Sequence, residues 1–237
     1  MSNLKVNLCG IELDNPVIPA SGTFGFGYEF AEIYDINCLG TFSFKGTTLE
    51  PRYGNPLPRI AECNDGLINS IGLQNPGVDK VIEEELPKMK ECFNKKVVAN
   101  IGGFSLDEYK KCAEAMDKVD QVGIIEVNIS CPNVHGGGMS FGTSPEAVAE
   151  VVKAVKKVTT KPVIIKLSPN VTDIVEIAKA CEAGAEMAYK AVTVPKEGTI
   201  LTYENEVYKK DEVLEQQRRT SIQSKFDRLR KKKMDNN

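Results

Sequence analysis

Five polar residues stand at or just past the ends of short apolar runs. Lys45 closes TFSFK, Asn100 closes VVAN, Asn128 closes GIIEVN, Lys166 closes PVIIK, and Cys131 follows Asn128 in NISCPN. A thiol, two amines and two carboxamides brought together can accept a proton, hold an anion and read a polar ligand. An ordinary thiol titrates near ~8.5, so only a small fraction is thiolate at neutral pH. A neighbouring lysine lowers that value and makes the sulfur a better proton acceptor, and Pro132 fixes the turn that follows. Each residue also has a plainer reading. A lysine at a strand end can reach solvent along its own stem, and an isolated cysteine is most often a small buried hydrophobe, which suits the other six. Alternation places Glu126 on the face of Asn128, where it reads as part of a polar layer that needs partners.

The runs are short and rich in Val, Ile and Phe, as strands of a buried parallel sheet are. Ligands of such sheets bind at the carboxyl ends of the strands, and in a closed barrel the active site lies on that rim. Up to about Ala183 the pattern alternates strand and helix. A hairpin, VNL and IEL about Cys9-Gly10, comes first, followed by the strand PVIPA, the loop SGTFGFGYEF and a brief helix near Ala31. After the strand ending at Lys45, a long excursion from Gly46 to Gly77 carries prolines 51, 56, 58 and 76, and a loop of that length is usually functional. Helices are predicted over Val78–Cys92, Ser105–Lys118 with a capping box of Ser105 and Glu108, Pro145–Val158 capped by Ser144, and Thr172–Ala183. Strands are predicted over Lys96–Ile101, Gly123–Ile129 and Pro162–Leu167. The spacing implies βαβ crossovers, and five strands are counted before the pattern stops near Gly184. The expected fold class is α/β, a TIM (β/α)8-type barrel that is incomplete, with about five of eight strands. The expected division is a partial barrel over 1–184 and a helical or disordered tail over 185–237.

Composition excludes several classes. The 237 residues hold one histidine, His135, so histidine-centred metal or triad chemistry is nearly ruled out, and HGGGMSFG around it reads as a flexible lid. Seven cysteines without a CxxC pair suit free thiols in a reducing cytoplasm. No apolar stretch is long enough for a membrane span, and the N-terminal segment lacks a signal-peptide core. A formal charge of −3 gives no reason to expect nucleic acid binding. Residues 209–237 carry ten Lys or Arg against five Asp or Glu, which reads as a solvated or disordered tail.

Five stretches, NPVIPASGTFGFG, KGTTLEPRYGNPLPRI, NSIGLQNPG, NISCPNVHGGGMSFGT and KLSPNVTDI, occur in the order found in class 1 dihydroorotate dehydrogenases. The chain resembles that family over about Asn15 to Gly184, and NSIGLQNPG with LEPRYGNP looks more like its NAD-linked subclass. The resemblance implies an FMN-containing barrel that oxidises dihydroorotate to orotate in pyrimidine synthesis. Cys131 would be the catalytic base, removing a proton from C5 while hydride leaves C6. Lys45, Asn69, Ser70, Ile71, Gly72, Leu73, Asn128 and Asn133 would bind the substrate. Ala20, Ser21, Lys45, Gly46, Asn100, Asn128 and Lys166 would hold FMN. No metal site is implied, a separate FAD and iron–sulfur subunit would accept the electrons, and a folded chain would oligomerise in the cytoplasm.

The chain departs from the family after Gly184, where EMAYKAVTVPKEG replaces the expected Ile-Asn-Thr segment and the later glycine-rich loops for the FMN phosphate. The sequence therefore leaves a second reading open, an inactive truncated or chimeric remnant. A third, another pyrimidine-acting flavin barrel, is opposed by NSIGLQNPG.

Overall fold

The computed structural model describes residues 4–63, 66–130, 141–168, 171–182, 184 and 185, and the backbone of 187–189. A hairpin of β1 (Val6–Leu8) and β2 (Ile11–Leu13) precedes α1 (Tyr28–Ala31), and a second hairpin joins β3 (Ile60–Cys63) to β4 (Gly66–Asn69). There follow α2 (Val78–Lys80), a π turn (Val81–Glu85), α3 (Leu86–Cys92), β5 (Val97–Ile101), α4 (Leu106–Asp117), β6 (Val122–Asn128), α5 (Pro145–Lys156), β7 (Val163–Lys166), α6 (Ile174–Glu182) and β8 (Met187–Tyr189). The β3–β4 hairpin falls in the second of two compact units, and the other elements above fall in the first.

In the larger unit, β5, β6, β7 and β8 pair in chain order, all parallel. The sheet therefore continues past Gly184, the point where the sequence pattern changes. Two extended segments lengthen it on the β5 side without forming regular strands. Phe42 and Phe44 exchange backbone bonds with Val98, and Thr47 bonds Asn100 and Gly102, while Gly40 and Ser43 bond Val17 and Pro19. PVIPA and TFSFK, expected as strands, enter only through these bonds and isolated bridges. Pro16 and Pro19 bring no N–H to a ladder, which is reason enough for the first of them to stay irregular. The long excursion after Lys45 is not all loop, since β3 and β4 lie inside it.

The two faces of the sheet differ. Val97, Ala99, Ile101, Ile125, Val127, Val163 and Ile165 join one core with Tyr109, Cys112 and Met116 of α4 and Val148, Val151, Val152 and Val155 of α5. Burying each of the Val, Ile and Met side chains stabilises the fold by about 1.5–3 kcal/mol. On the opposite face Val98, Ile124 and Ile164 form a small layer covered by Leu8, Cys9 and Ile11 of the first hairpin. Two residues further along the same strands that face turns polar, with Asn100, Glu126 and Lys166. The helices are placed by their caps: Ser105 Oγ accepts from Glu108 N at 3.2 Å, and Ser144 Oγ accepts from Ala147 N at 3.2 Å. The Glu108 carboxylate closes back onto Phe104 N at 2.7 Å, one residue before the cap.

Asp117, at the end of α4, ties down the turn before β7. Its Oδ1 accepts from Thr159 Oγ1 at 2.6 Å, Thr160 N at 2.8 Å and Lys161 N at 3.2 Å. Burial pushes this carboxyl up, but those hydrogen bonds outweigh it and hold it below the ordinary carboxylate value. A carboxylate held low stabilises the fold above its unfolded value and loses that contribution as pH falls through the folded one. Asp117→Asn should therefore lower stability at neutral pH and flatten the loss seen below about pH 4, measured by urea unfolding across the acid range.

Candidate functional site

The polar end of the sheet is a closed hydrogen-bonded set. β5 and β6 pair Asn100 with Glu126, and β6 and β7 pair Asn128 with Lys166, so register alone sets these side chains next to one another. Ser21, 105 positions before Glu126, completes the group from the loop after PVIPA. Its hydroxyl donates to Glu126 Oε1 at 2.9 Å and accepts from Asn100 Nδ2 at 3.0 Å and Lys166 Nζ at 3.1 Å. Asn100 Nδ2 also donates to Glu126 Oε1. Glu126 is 1% exposed and Asn100 wholly buried. One atom of this set is left over. Among the described residues Asn100 Oδ1 has no hydrogen-bond partner, which leaves a buried acceptor in need of a donor. A Cβ on Gly46 would lie 2.7 Å from that oxygen and 3.3 Å from Leu73 Cδ2, so only glycine fits there.

Leu73 reaches this place from the NSIGLQNPG segment, whose shape depends on two asparagines. Asn55 N donates to Ile71 O at 2.9 Å, and its amide donates to Ser70 O and Ser70 Oγ, both at 3.1 Å. A Cβ on Gly72 would meet Asn55 N at 2.8 Å, and Gly72 has φ 74°, so this turn takes no larger residue without strain. Leu73 itself has φ 57°. Asn75 then fastens the segment to the strand end. Its Oδ1 accepts from Thr48 N at 3.1 Å and Gly77 N at 2.9 Å, and its Nδ2 donates to Leu73 O at 2.7 Å and Thr48 Oγ1 at 2.8 Å.

The fold thus brings together Ser21, Gly46, Asn100 and Lys166, with Leu73 beside Gly46. Asn128 is 8% exposed; its Oδ1 accepts from Ser130 N at 3.0 Å and Ser130 Oγ at 2.8 Å, so the NH2 is the end it can offer a ligand. Its backbone carbonyl accepts from Tyr109 at 2.9 Å, which anchors the strand tip to α4. Lys45 is half-buried on the segment that bridges β5, and its N–H donates to Gly25 O at 2.8 Å. Ala20 O accepts from Thr23 Oγ1 at 2.7 Å in the loop that carries Ser21. Asn69 is the last residue of β4, in the other compact unit. Cys131, Asn133 and His135 lie outside the described residues.

Sequence reasoning left Glu126 out of the site and missed Asn55 and Asn75 altogether. Glu126 gave one signal, a charge inside an apolar strand. Among the other thiols, burial pushes Cys112 and Cys181 up to about 12, so both are inert. Cys38 is exposed and Cys9, Cys63 and Cys92 are half-buried, against the expectation of buried small hydrophobes. Among the described residues no group of His, Cys, Asp and Glu could hold a metal ion, and no helix is long and apolar enough to cross a membrane.

Known proteins resemble the chain strongly. A catalytic subunit of dihydroorotate dehydrogenase B (NAD(+)) from Geobacillus kaustophilus is 54% identical over 187 residues, 78% of this chain and 59% of that protein. The proteins of the same name from Halalkalibacterium halodurans and Bacillus caldolyticus are 53% and 54% identical over 187 residues each, covering 78% of this chain and 61% and 59% of their own lengths. The chain spans about three-fifths of the length of these curated relatives. The sequence model described as dihydroorotate dehydrogenase matches residues 3–217. With a parallel sheet whose polar tips carry Asn100, Glu126, Asn128 and Lys166, and a family match over most of its length, the chain belongs to the dihydroorotate dehydrogenase family.

Proposed function

We propose that the chain forms the flavin-binding and substrate-binding part of an NAD-linked dihydroorotate dehydrogenase catalytic subunit, acting in pyrimidine synthesis. The observation that carries this reading is the buried set of Ser21, Asn100, Glu126 and Lys166 at the strand tips, with one acceptor left unpartnered. Such a set suits a ligand with both a hydrogen-bond donor and an electron-rich acceptor edge, as the ring of FMN has. Ala20, Ser21, Lys45, Gly46, Asn100, Asn128 and Lys166 would hold that ring. When bound, FMN supplies the acceptor for the hydride leaving the substrate.

The remaining work falls to the chain. Lys166 would hold the flavin ring and set a positive charge beside the edge that gains electron density on reduction, which would favour the reduced, anionic form. Lys45 and the amide of Asn128 would bind the carboxylate and ring carbonyls of dihydroorotate, with Ser70, Ile71, Gly72 and Leu73 as the wall, and the family resemblance adds Asn69 and Asn133 as substrate-binding candidates. Cys131, in the segment after β6, takes the proton from C5 as the C6–H bond breaks. Electrons would pass on to a separate FAD and iron–sulfur subunit, in keeping with the relatives' naming as catalytic subunits. The sheet would be part of a (β/α)8-type barrel, in a cytoplasmic assembly of more than one copy; beyond β8 the expected tail lies outside the described residues.

The alternative is a family member without turnover, favoured by the charge-rich, apolar-poor stretch after Glu204. One experiment separates the two. The purified chain should quench FMN fluorescence on mixing, and the bound flavin should bleach when dihydroorotate is added without oxygen. Cys131→Ser should keep the flavin and slow the bleaching by orders of magnitude. Equal bleaching rates would remove Cys131 from its role, and a chain that stays colourless in excess FMN would overturn the enzymatic reading.

A further inference from the structure

We infer that Glu126 is a positioning residue that decides which atoms of the site donate and which accept. This rests on the flavin reading above and adds to it a requirement on the ligand. Glu126 lies on β6, an inner strand of the sheet, and is 1% exposed, so its carboxylate must be satisfied by donors. As a carboxylate it can only accept. The Ser21 hydroxyl is therefore compelled to spend its single hydrogen on Glu126, and both its lone pairs turn to the amide NH2 of Asn100 and the amine of Lys166. Asn100 likewise puts both amide hydrogens into the set, one on Ser21 and one on Glu126. No choice of amide orientation remains. The carbonyl oxygen points to the Gly46 side, where among the described residues it stands without a partner. The ligand group that meets Asn100 is therefore an N–H or O–H donor, and the group that meets Lys166 is an acceptor or an anion.

Without the carboxylate this direction is lost. In Glu126→Leu the Ser21 hydroxyl has only Asn100 to donate to, so the amide turns its oxygen inward and presents NH2 on the Gly46 side. Two donors then face each other across the site. Flavin should bind at least ~10-fold more weakly, about 1.4 kcal/mol. The loss passes through Asn100, so in an Asn100→Ala background Glu126→Leu should weaken binding less than ~3-fold, a non-additivity that a purely structural role does not produce. Glu126→Gln keeps an acceptor and the shape, and should fall between wild type and Glu126→Leu.

Dissociation constants for FMN from fluorescence quenching measure this cycle. Wild-type affinity in Glu126→Leu, an undiminished loss in the Asn100→Ala background, or a Glu126→Gln defect as large as that of leucine would each overturn the inference. The orientation is also read without flavin, from the side-chain amide resonances of Asn100 in a labelled, ligand-free chain. These should shift in Glu126→Gln, and should broaden or shift more in Glu126→Leu. Unmoved resonances would overturn the inference, whereas a wild-type chain that binds no FMN while its Asn100 amide responds to Glu126 would overturn only the flavin reading.

Discussion

Phe42→Ala should destabilise the chain by about 3–5 kcal/mol, the range for deleting a fully buried aromatic ring. Phe42 has no solvent exposure and packs between Phe24 and Phe93, with ring centroids 5.0 Å and 4.9 Å away. Its ring fills the space beside Gly27, where an added Cβ would lie 2.6 Å from Phe42 Cζ. So tight a site cannot collapse fully around alanine, and the cavity cost adds to the lost burial. A domain of this kind has only about 5–15 kcal/mol to lose. The damage reaches the site as well, because Phe42 O and Phe44 N hold the Lys45 segment against Val98. Urea unfolding of Phe42→Ala beside Phe42→Leu checks this: leucine, which keeps more of the volume, should cost clearly less, and equal midpoints for wild type and alanine would contradict the packing argument.

Asn75→Ala should cost about 3 kcal/mol and loosen the Ser70–Leu73 wall. The amide makes four hydrogen bonds in a place only 6% exposed. Its removal leaves the N–H groups of Thr48 and Gly77 unpaired, and each such loss costs about 1–3 kcal/mol. Asn75→Asp is no rescue. It keeps the acceptor for Thr48 N and Gly77 N but turns an oxygen towards Leu73 O, which can only accept. Both variants should therefore unfold at lower urea, and amide exchange should rise first in residues 70–77. If dihydroorotate bleaches the flavin as proposed, its half-saturating concentration should rise in both while flavin affinity changes less. That division follows from where Asn75 acts, on the segment carrying Leu73 rather than on Ser21 or Lys166.

The sequence by itself determined the alternation of β5, α4, β6, α5, β7 and α6, the caps at Ser105 and Ser144, and the strand tips where Asn100, Asn128 and Lys166 stand. These depend on near neighbours: alternation, apolar runs, and a hydroxyl three residues from an N–H. The family was legible for a related reason, since its motifs are contiguous. What only the tertiary structure decided is what those tips do to one another. Nothing near Ser21 indicates that it will bond a carboxylate 105 positions away, and nothing near Asn75 indicates that it will hold Thr48. Such closures depend on the register between strands and on how far a loop returns, quantities to which a periodic pattern is blind. The same reason explains the β3–β4 hairpin inside an apparent loop, the irregular ladder of TFSFK, and the strand Met187–Tyr189 beyond Gly184. In each, pairing is settled by the neighbouring segment's hydrogen bonds rather than by the segment's own residues.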